Sequence, residues 1–497
     1  MASNEIVWLL DIEAVDGQGS PTILRYSNTE YSGDNYYEPR LKQPGLFQEG
    51  LFSNNILPAQ RSSVGVSKLI NVDGFLNFLV DYAIDGRSIT LSFFDGETVQ
   101  EAFTGTGERF DFSRTEVSVV MRAPSDILNV SRNFTEYLGT NVAPDGLEGT
   151  ENDLKGNPKP RLYGEGRNIT PILVNSQKLI YQVSDIDCTI LKVRDNGAEL
   201  EFDGEYSSEV ELETLPPDKN DWEDWIPPAG TYRRYKGYIR LGVEPSGQLT
   251  VDADGPNTLL GDVFAYISNE AGVILSSGVS ELNTFGNCRL LATQEENYIQ
   301  LLDRLALSAG CYWRRRSDGD LEVGLVPTPD ENNISLYIED YMIIDMNRTA
   351  SGGGSNGLPI YRVEVQADRI ESVQNDLSGD ADAELRARVA RQYRKSNAQD
   401  LSVQSRHPLS TEFQLVSDLS SLPSAQNVAD NILALLSPRR DVVSVQINLS
   451  RDNVSLPLLS TVRLQTSRLG YDNGRDMLVV EKTFNPVKNK LSLLLWG

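Results

Sequence analysis

The stretch whose reading decides the fold is "SRLGYDNGRDMLVVEKTFNPVKNKLSLLLWG", residues 467–497. Most chains fray into polar residues at the C-terminus. This one instead carries apolar, strand-like runs, "MLVVEKTFN" (477–485) and "KLSLLLWG" (490–497), and they are expected to be buried. Two strands of the same character precede them, "DVVSVQINLS" (441–450) and "TVRLQTS" (461–467). Before these, "PSAQNVADNILALLSPRR" (423–440) sets Val428, Ile432, Leu435 and Leu436 on one helix face.

Moving toward the N-terminus, "DADAELRARVARQYRK" (380–395) is expected to form a basic helix, and "TASGGGSNG" (349–357) a flexible loop or linker. Two amphipathic helices are expected in "TLLGDVFAYISNEAGV" (258–273) and "EENYIQLLDRLALSAG" (295–310), the latter stopping at Gly310. A hairpin around Asp318 and Gly319 is expected next, in "CYWRRRSDGDLEVGLV". The second region alternates β segments ("PILVNSQKLIYQVSD", "CTILKVRDNGAELEF", "GYIRLGV") with the acidic loop 215–235, after a polar connection over 126–160. The first 125 residues alternate short apolar runs with the turn dipeptides Asp16-Gly17, Asp85-Gly86 and Asp95-Gly96, the pattern of a small antiparallel barrel or sandwich. A short helix within them is phased by Leu76, Leu79 and Val80. The fold class is therefore mostly β with a few helices (α+β), in units expected at 1–125, 126–250, 251–350 and 351–497.

Charge and chemistry narrow the function. The 497 residues carry a formal net charge of −26, which disfavours stable contact with nucleic acid or anionic membranes. No run of about 20 apolar residues is present, and the first residues lack the basic region of a secretory signal. Cys188, Cys288 and Cys311 are far apart and odd in number, so buried reduced thiols are expected. His407 is the only histidine, set before Pro408 in a loop, which leaves little for a catalytic triad or a zinc site. "DADGPN" (252–257) and "SGDADAE" (378–384) space oxygen ligands as calcium loops do, without the full twelve-residue pattern. No enzymatic activity, cofactor or metal is expected. What remains is contact chemistry. Arg386, Arg391 and Arg394 stand on an acidic background, Trp222 and Trp225 lie among acids in "NDWEDW", and Trp496 closes the final strand, so these six are the candidate assembly residues.

Several stretches, taken in order, resemble the tail hub (baseplate hub, tail tip) proteins of long-tailed bacteriophages and gene transfer agents. They are "YSGDNYYEPRL", "KPRLYGEGRNITPILVNSQKLIYQV" (159–183), "YIQLLDRLALSAGCYWRRRSDGDLEVGLVP" (298–327), "LPIYRVEVQADRIESVQNDL" (358–377), "SAQNVADNILALLSPRRDVVSVQINLS" (424–450) and the closing stretch. The resemblance implies two barrel-like domains per subunit and a homotrimer forming a pseudo-six-fold ring. That ring would close the tail tube, anchor a separate central fibre protein and let DNA pass on ejection. The implied partners are further copies of this chain, a distal tail protein, the C-terminus of the tape measure protein and the fibre. The implied location is the virion tail tip, after assembly in the host cytoplasm. The alternatives are a distal tail or receptor-contacting protein that binds a cell-surface glycan, and a tail-associated cell-wall hydrolase. On the hub reading, "NKLSLLLWG" is the strand that closes the C-terminal barrel.

Overall fold

In a β-strand successive side chains point to opposite faces, so alternating burial marks a strand with one face on a core. Strand Lys490–Trp496 follows this rule, with Leu491, Leu493 and Leu495 buried. It pairs antiparallel with Arg440–Asn448 on one side and with Arg475–Asn485 on the other. Gly497 extends the ladder by exchanging backbone hydrogen bonds of 2.8 and 3.1 Å with Asp441. These strands lie inside a path that begins at Ile334–Glu339 and ends at Ile343–Ser351. Five steps across a flat sheet would separate those two edge strands by about 24 Å. Only the short 3-10 turn Asp340–Met342 joins them, a reach of about 14 Å at most. The sheet must therefore curl.

The structure is a computed structural model that describes residues 6–52, 58–123, 128–129, 135–214, 225–316, 319–351, 357–379 and 381–497. Its N-terminal sheet runs from Pro21–Ser27 through Val7–Val15, Ser88–Phe94, Val99–Phe112, Glu116–Arg122 and Ser67–Ile70 to Leu41–Gln43. Glu38 links the two ends. Its N–H donates to Arg25 (3.0 Å), its carbonyl accepts from Ser27 (2.9 Å), and Arg40 two residues on accepts from Ile70 (2.8 Å). This sheet, too, is a barrel-like wrap.

The hairpin Phe47–Phe52 and Pro58–Val64 leaves the N-terminal sheet and pairs instead with Arg475–Asn485, placing Phe47 opposite Phe484 and Gly50 opposite Glu481. Phe47 then stacks between Phe103 (4.3 Å) and Phe484 (6.1 Å). One buried cluster consequently runs from Trp8 to Met121 and from Leu336 to Leu495, with no break between the two wraps.

A second cluster joins helices Leu260–Glu270 and Tyr298–Ser308 and the hairpin Cys311–Arg315/Leu321–Leu325 to a three-stranded sheet (Arg394–Gln399, Arg362–Ala367, Glu412–Val416) and to helix Leu422–Leu436. Helix Tyr298–Ser308 starts at a capping box formed by Asn297 and Gln300. Gly310 takes the left-handed φ of 67° just past its end. Two further sheets, built from residues 165–254, make the remaining β unit around Val183, Val193, Ile239 and Val251. The fold is mostly β with a few helices, as the sequence indicates.

Three local readings differ from the structure. The basic helix stops at Val389, and Arg394–Gln399 is a strand. Ser396 and Ala398 face inward there, on the sheet against which helix Leu422–Leu436 packs, a period-two burial that helix-forming neighbours disguise. The segment Phe75–Asp81 is a 3-10 helix, so three residues per turn bury Leu76 and Leu79 and turn Val80 outward. Within the polar connection, Thr140–Val142 and Asp145–Thr150 form a hairpin, with Tyr137 and Leu147 buried beside it. The glycine-rich loop 352–356 and Asp318 lie outside the described residues.

Candidate assembly surface

Charged and polar groups tie the middle β unit to the helical one beside apolar contacts such as Tyr163 with Tyr266 (6.1 Å), and Arg161 reaches Glu270 at 2.8 Å. Asp368 follows strand Arg362–Ala367 in the left-handed conformation (φ 55°), one that Asp tolerates better than most residues. Its carboxylate meets three guanidinium groups: Arg289 at 2.5 Å, Arg388 at 2.9 Å and Arg394 at 3.2 Å. Arg289 also approaches Glu165 (3.6 Å), which accepts from Asn287 (2.6 Å). Nearby, Arg304 grips the buried Asp418 through two bonds of 2.6 and 2.7 Å. Burial pushes the Asp418 carboxyl up, against the pull of Arg304. Asn168 completes the joint with a side-chain bond to the Ser372 carbonyl (2.6 Å), while its own carbonyl accepts from the Ser372 N–H (3.1 Å).

The six candidate assembly residues are dispersed. Arg386 turns back on its own segment and donates to the Leu377, Ser378 and Ala381 carbonyls. Arg394 shares Asp368 but is half exposed, and Arg391 is exposed. Trp496 is 1% exposed, packed with Leu478 and Val480 under the Arg440 guanidinium at 4.5 Å. Its surroundings are this chain's own core. Trp225 is partly buried, and its carbonyl accepts from the Tyr206 hydroxyl (2.8 Å). Trp222 and residues 215–224 of the acidic loop lie outside the described residues. The near end of that loop is held by Arg240, a buried cation that donates to the Leu212 carbonyl at 2.7 Å and the Thr214 carbonyl at 3.3 Å.

The groups weighed for chemistry are occupied otherwise. Asp252 is bound by Arg194 (2.6 Å) and Asp254 by Arg167 (2.7 Å), which accounts for both acids of "DADGPN". In "SGDADAE", Asp382 caps helix Ala383–Val389 by accepting from the Glu384 N–H, while Asp380 lies outside the described residues. Burial pushes the Cys188 thiol up to about 12 and raises those of Cys288 and Cys311, so all three stay protonated at neutral pH. His407 ends helix Leu401–Arg406, its N–H on the Val403 carbonyl at 2.7 Å. A cleft of about 610 Å³ opens where Phe47, Phe103, Arg314 and Leu458 meet. On its wall Arg314 pairs with Glu322 (2.8 Å) and Lys482 with Glu49 (3.3 Å).

Sequence reasoning did not single out one exposed surface. Phe75 and Phe78 project from the 3-10 segment with their rings 6.1 Å apart. The signal was present in the spacing: 75 and 78 step by three, as do the buried 76 and 79.

No family model matches this sequence, and no curated protein matches it. Among solved structures the chain is similar to a tail protein from Neisseria meningitidis MC58, at 12% identity and a TM-score of 0.44, covering 99% of this chain and 96% of that one. It is also similar to the 43 kDa tail protein of prophage MuSo2 from Shewanella oneidensis, at 9% identity and a TM-score of 0.43, over 99% and 98% of the two chains. A chain of the native gene transfer agent virion aligns at 13% identity and a TM-score of 0.41, over 75% of this chain and 91% of that one.

Proposed function

We propose that this protein is a structural component of a phage-type tail, the hub at the tail tip, which works by self-assembly into a ring and not by catalysis. The observation that carries this reading is the single apolar core shared by two curled sheets. Such a core fixes two barrel-like units rigidly in one subunit, so that three subunits supply six units to match a six-fold tube. The unusual net charge of −26 suits a channel through which DNA moves without sticking, since like charges do not attract counter-ion-releasing contacts. In this reading the ring contacts a distal tail protein and the tape measure C-terminus on one side and a separate fibre on the other.

The test is the mass and symmetry of the purified full chain, together with its position in purified particles by antibody labelling. A three-fold ring at the tail end is the expected result. A six-fold ring would assign it to the distal tail instead. Clearing of a cell-wall zymogram would assign it to the hydrolases, and blocked adsorption by the free protein would assign it to receptor binding.

A further inference from the structure

Val72, Phe75, Phe78 and Val80 are 73, 56, 41 and 65% exposed. Together they offer on the order of 400 Å² of apolar surface, as much as the largest such patch on a typical monomer and a size associated with docking. The segment is held in place. Leu76 and Leu79 are buried beneath it, and Phe78 rests edge-on against Tyr82 at 5.3 Å. Gly74 supplies the left-handed turn (φ 72°) that opens it. Arg40 lies over the Phe75 ring at 4.7 Å, with Asp73 accepting two of its bonds at 2.9 and 2.8 Å. Holding apolar rings in water on a fixed scaffold costs stability unless something covers them.

The rim identifies the occupant. Asp73 is taken by Arg40, but Asp81 and Asp85 follow the rings in the chain and are both exposed, so two such patches facing each other would oppose acid to acid. The complement must be cationic. On this chain the segment 386–395 carries five cations and no acid within ten residues. Inside the subunit Asp368 is shared by Arg388, Arg394 and Arg289, and Lys395 pairs with Glu364 at 2.7 Å. Arg391 is exposed, and the Arg394 and Lys395 side chains are 52 and 54% exposed.

We propose that the Phe75/Phe78 face of one subunit docks onto the basic segment 386–395 of a second copy. This inference rests on the self-assembly reading above. Two unlike patches in contact make a heterologous interface, the kind that closes into a ring. An apolar patch of this size is about half of what one side of a standard interface buries, so the charged rim supplies the rest.

The experiment is sedimentation of the full chain across a concentration series. The parent is expected to associate. Phe75→Ser/Phe78→Ser and, separately, Arg391→Glu are each expected to weaken association at least tenfold while circular dichroism and melting temperature hold, since all three side chains are exposed. Adding Asp81→Lys and Asp85→Lys to Arg391→Glu should restore association by reversing both signs. A parent that stays monomeric overturns the self-assembly reading and this interface with it. A parent that associates while the Phe75→Ser/Phe78→Ser variant associates equally well overturns the interface alone. Undiminished association of Arg391→Glu overturns the basic segment as its partner. So does duplex DNA binding, read by anisotropy, that Arg391→Glu abolishes without changing self-association.

Discussion

The molecule has two internal joints of different chemistry. Between the N-terminal and C-terminal wraps the joint is apolar, with Phe47, Phe103 and Phe484 in ring contact and a strand of one wrap laddered onto the other. Between the middle β unit and the helical unit it is more polar: Arg289 reaches Glu165, Arg161 reaches Glu270 and Asn168 bonds Ser372, while Asp368 and Asp418 brace the helical side with arginines of that side. An apolar joint is tolerant of direction and strong by area. An ionic joint admits few geometries, and its worth lies in the penalty for losing one partner.

Four changes test that contrast, in order of expected effect. Deleting Leu493–Gly497 removes half of a central strand and Trp496, so the folded state should be lost, visible as loss of cooperative melting. Phe47→Ala, at a buried site within the apolar joint, should cost about 3–5 kcal/mol by denaturant unfolding, with little dependence on pH. Arg304→Met should cost about 3 kcal/mol at neutral pH, the lower end for a broken buried pair because the arginine is 27% exposed. That variant strands Asp418, whose carboxyl is already raised in the folded state. An acid with a raised folded pKa binds its proton more tightly when folded, so the deficit should shrink as pH falls and Asp418 protonates. Replacing both partners, as Arg304→Met/Asp418→Leu, should recover most of the loss. A pH-independent deficit would break the ionic account.

The smallest effect belongs to the surface. Arg40 holds the Asp73 carboxyl down at about 2 against an ordinary 3.8. A depressed acid stabilises the fold above its unfolded pKa, and that contribution is lost as pH falls through the folded one. Asp73→Asn should therefore lower the melting temperature slightly at neutral pH, with the difference from the parent closing as pH falls between those values.

What the sequence made legible was local. Helix Leu422–Leu436 shows its face in Val428, Ile432 and Leu436, and Tyr298–Ser308 shows its cap and its stop at Gly310. The closing strand was legible from its apolar alternation. The side-chain bond from Gln48 to Glu481, beside a ladder that sets Gln48 opposite Thr483, spans 433 residues, and nothing in either segment names the other. The same holds for Asp368, whose three arginines come from residues 289, 388 and 394. Strand Arg394–Gln399 was masked by helix-forming residues because its register is imposed by Arg362–Ala367. The aromatic patch was hidden by assuming 3.6 residues per turn where the chain uses three.

The hairpin that crosses from one wrap to the other also sets a timetable. Phe47–Phe52 leaves the ribosome long before Arg475–Asn485 exists, and 433 residues separate the bonded pair. At about 5–20 residues per second the early strand waits roughly 20–90 seconds for its partner. During that interval the edge is open to neighbouring chains on the same message. A chain that stops before Arg475 lacks the partner strand, so this edge stays unpaired.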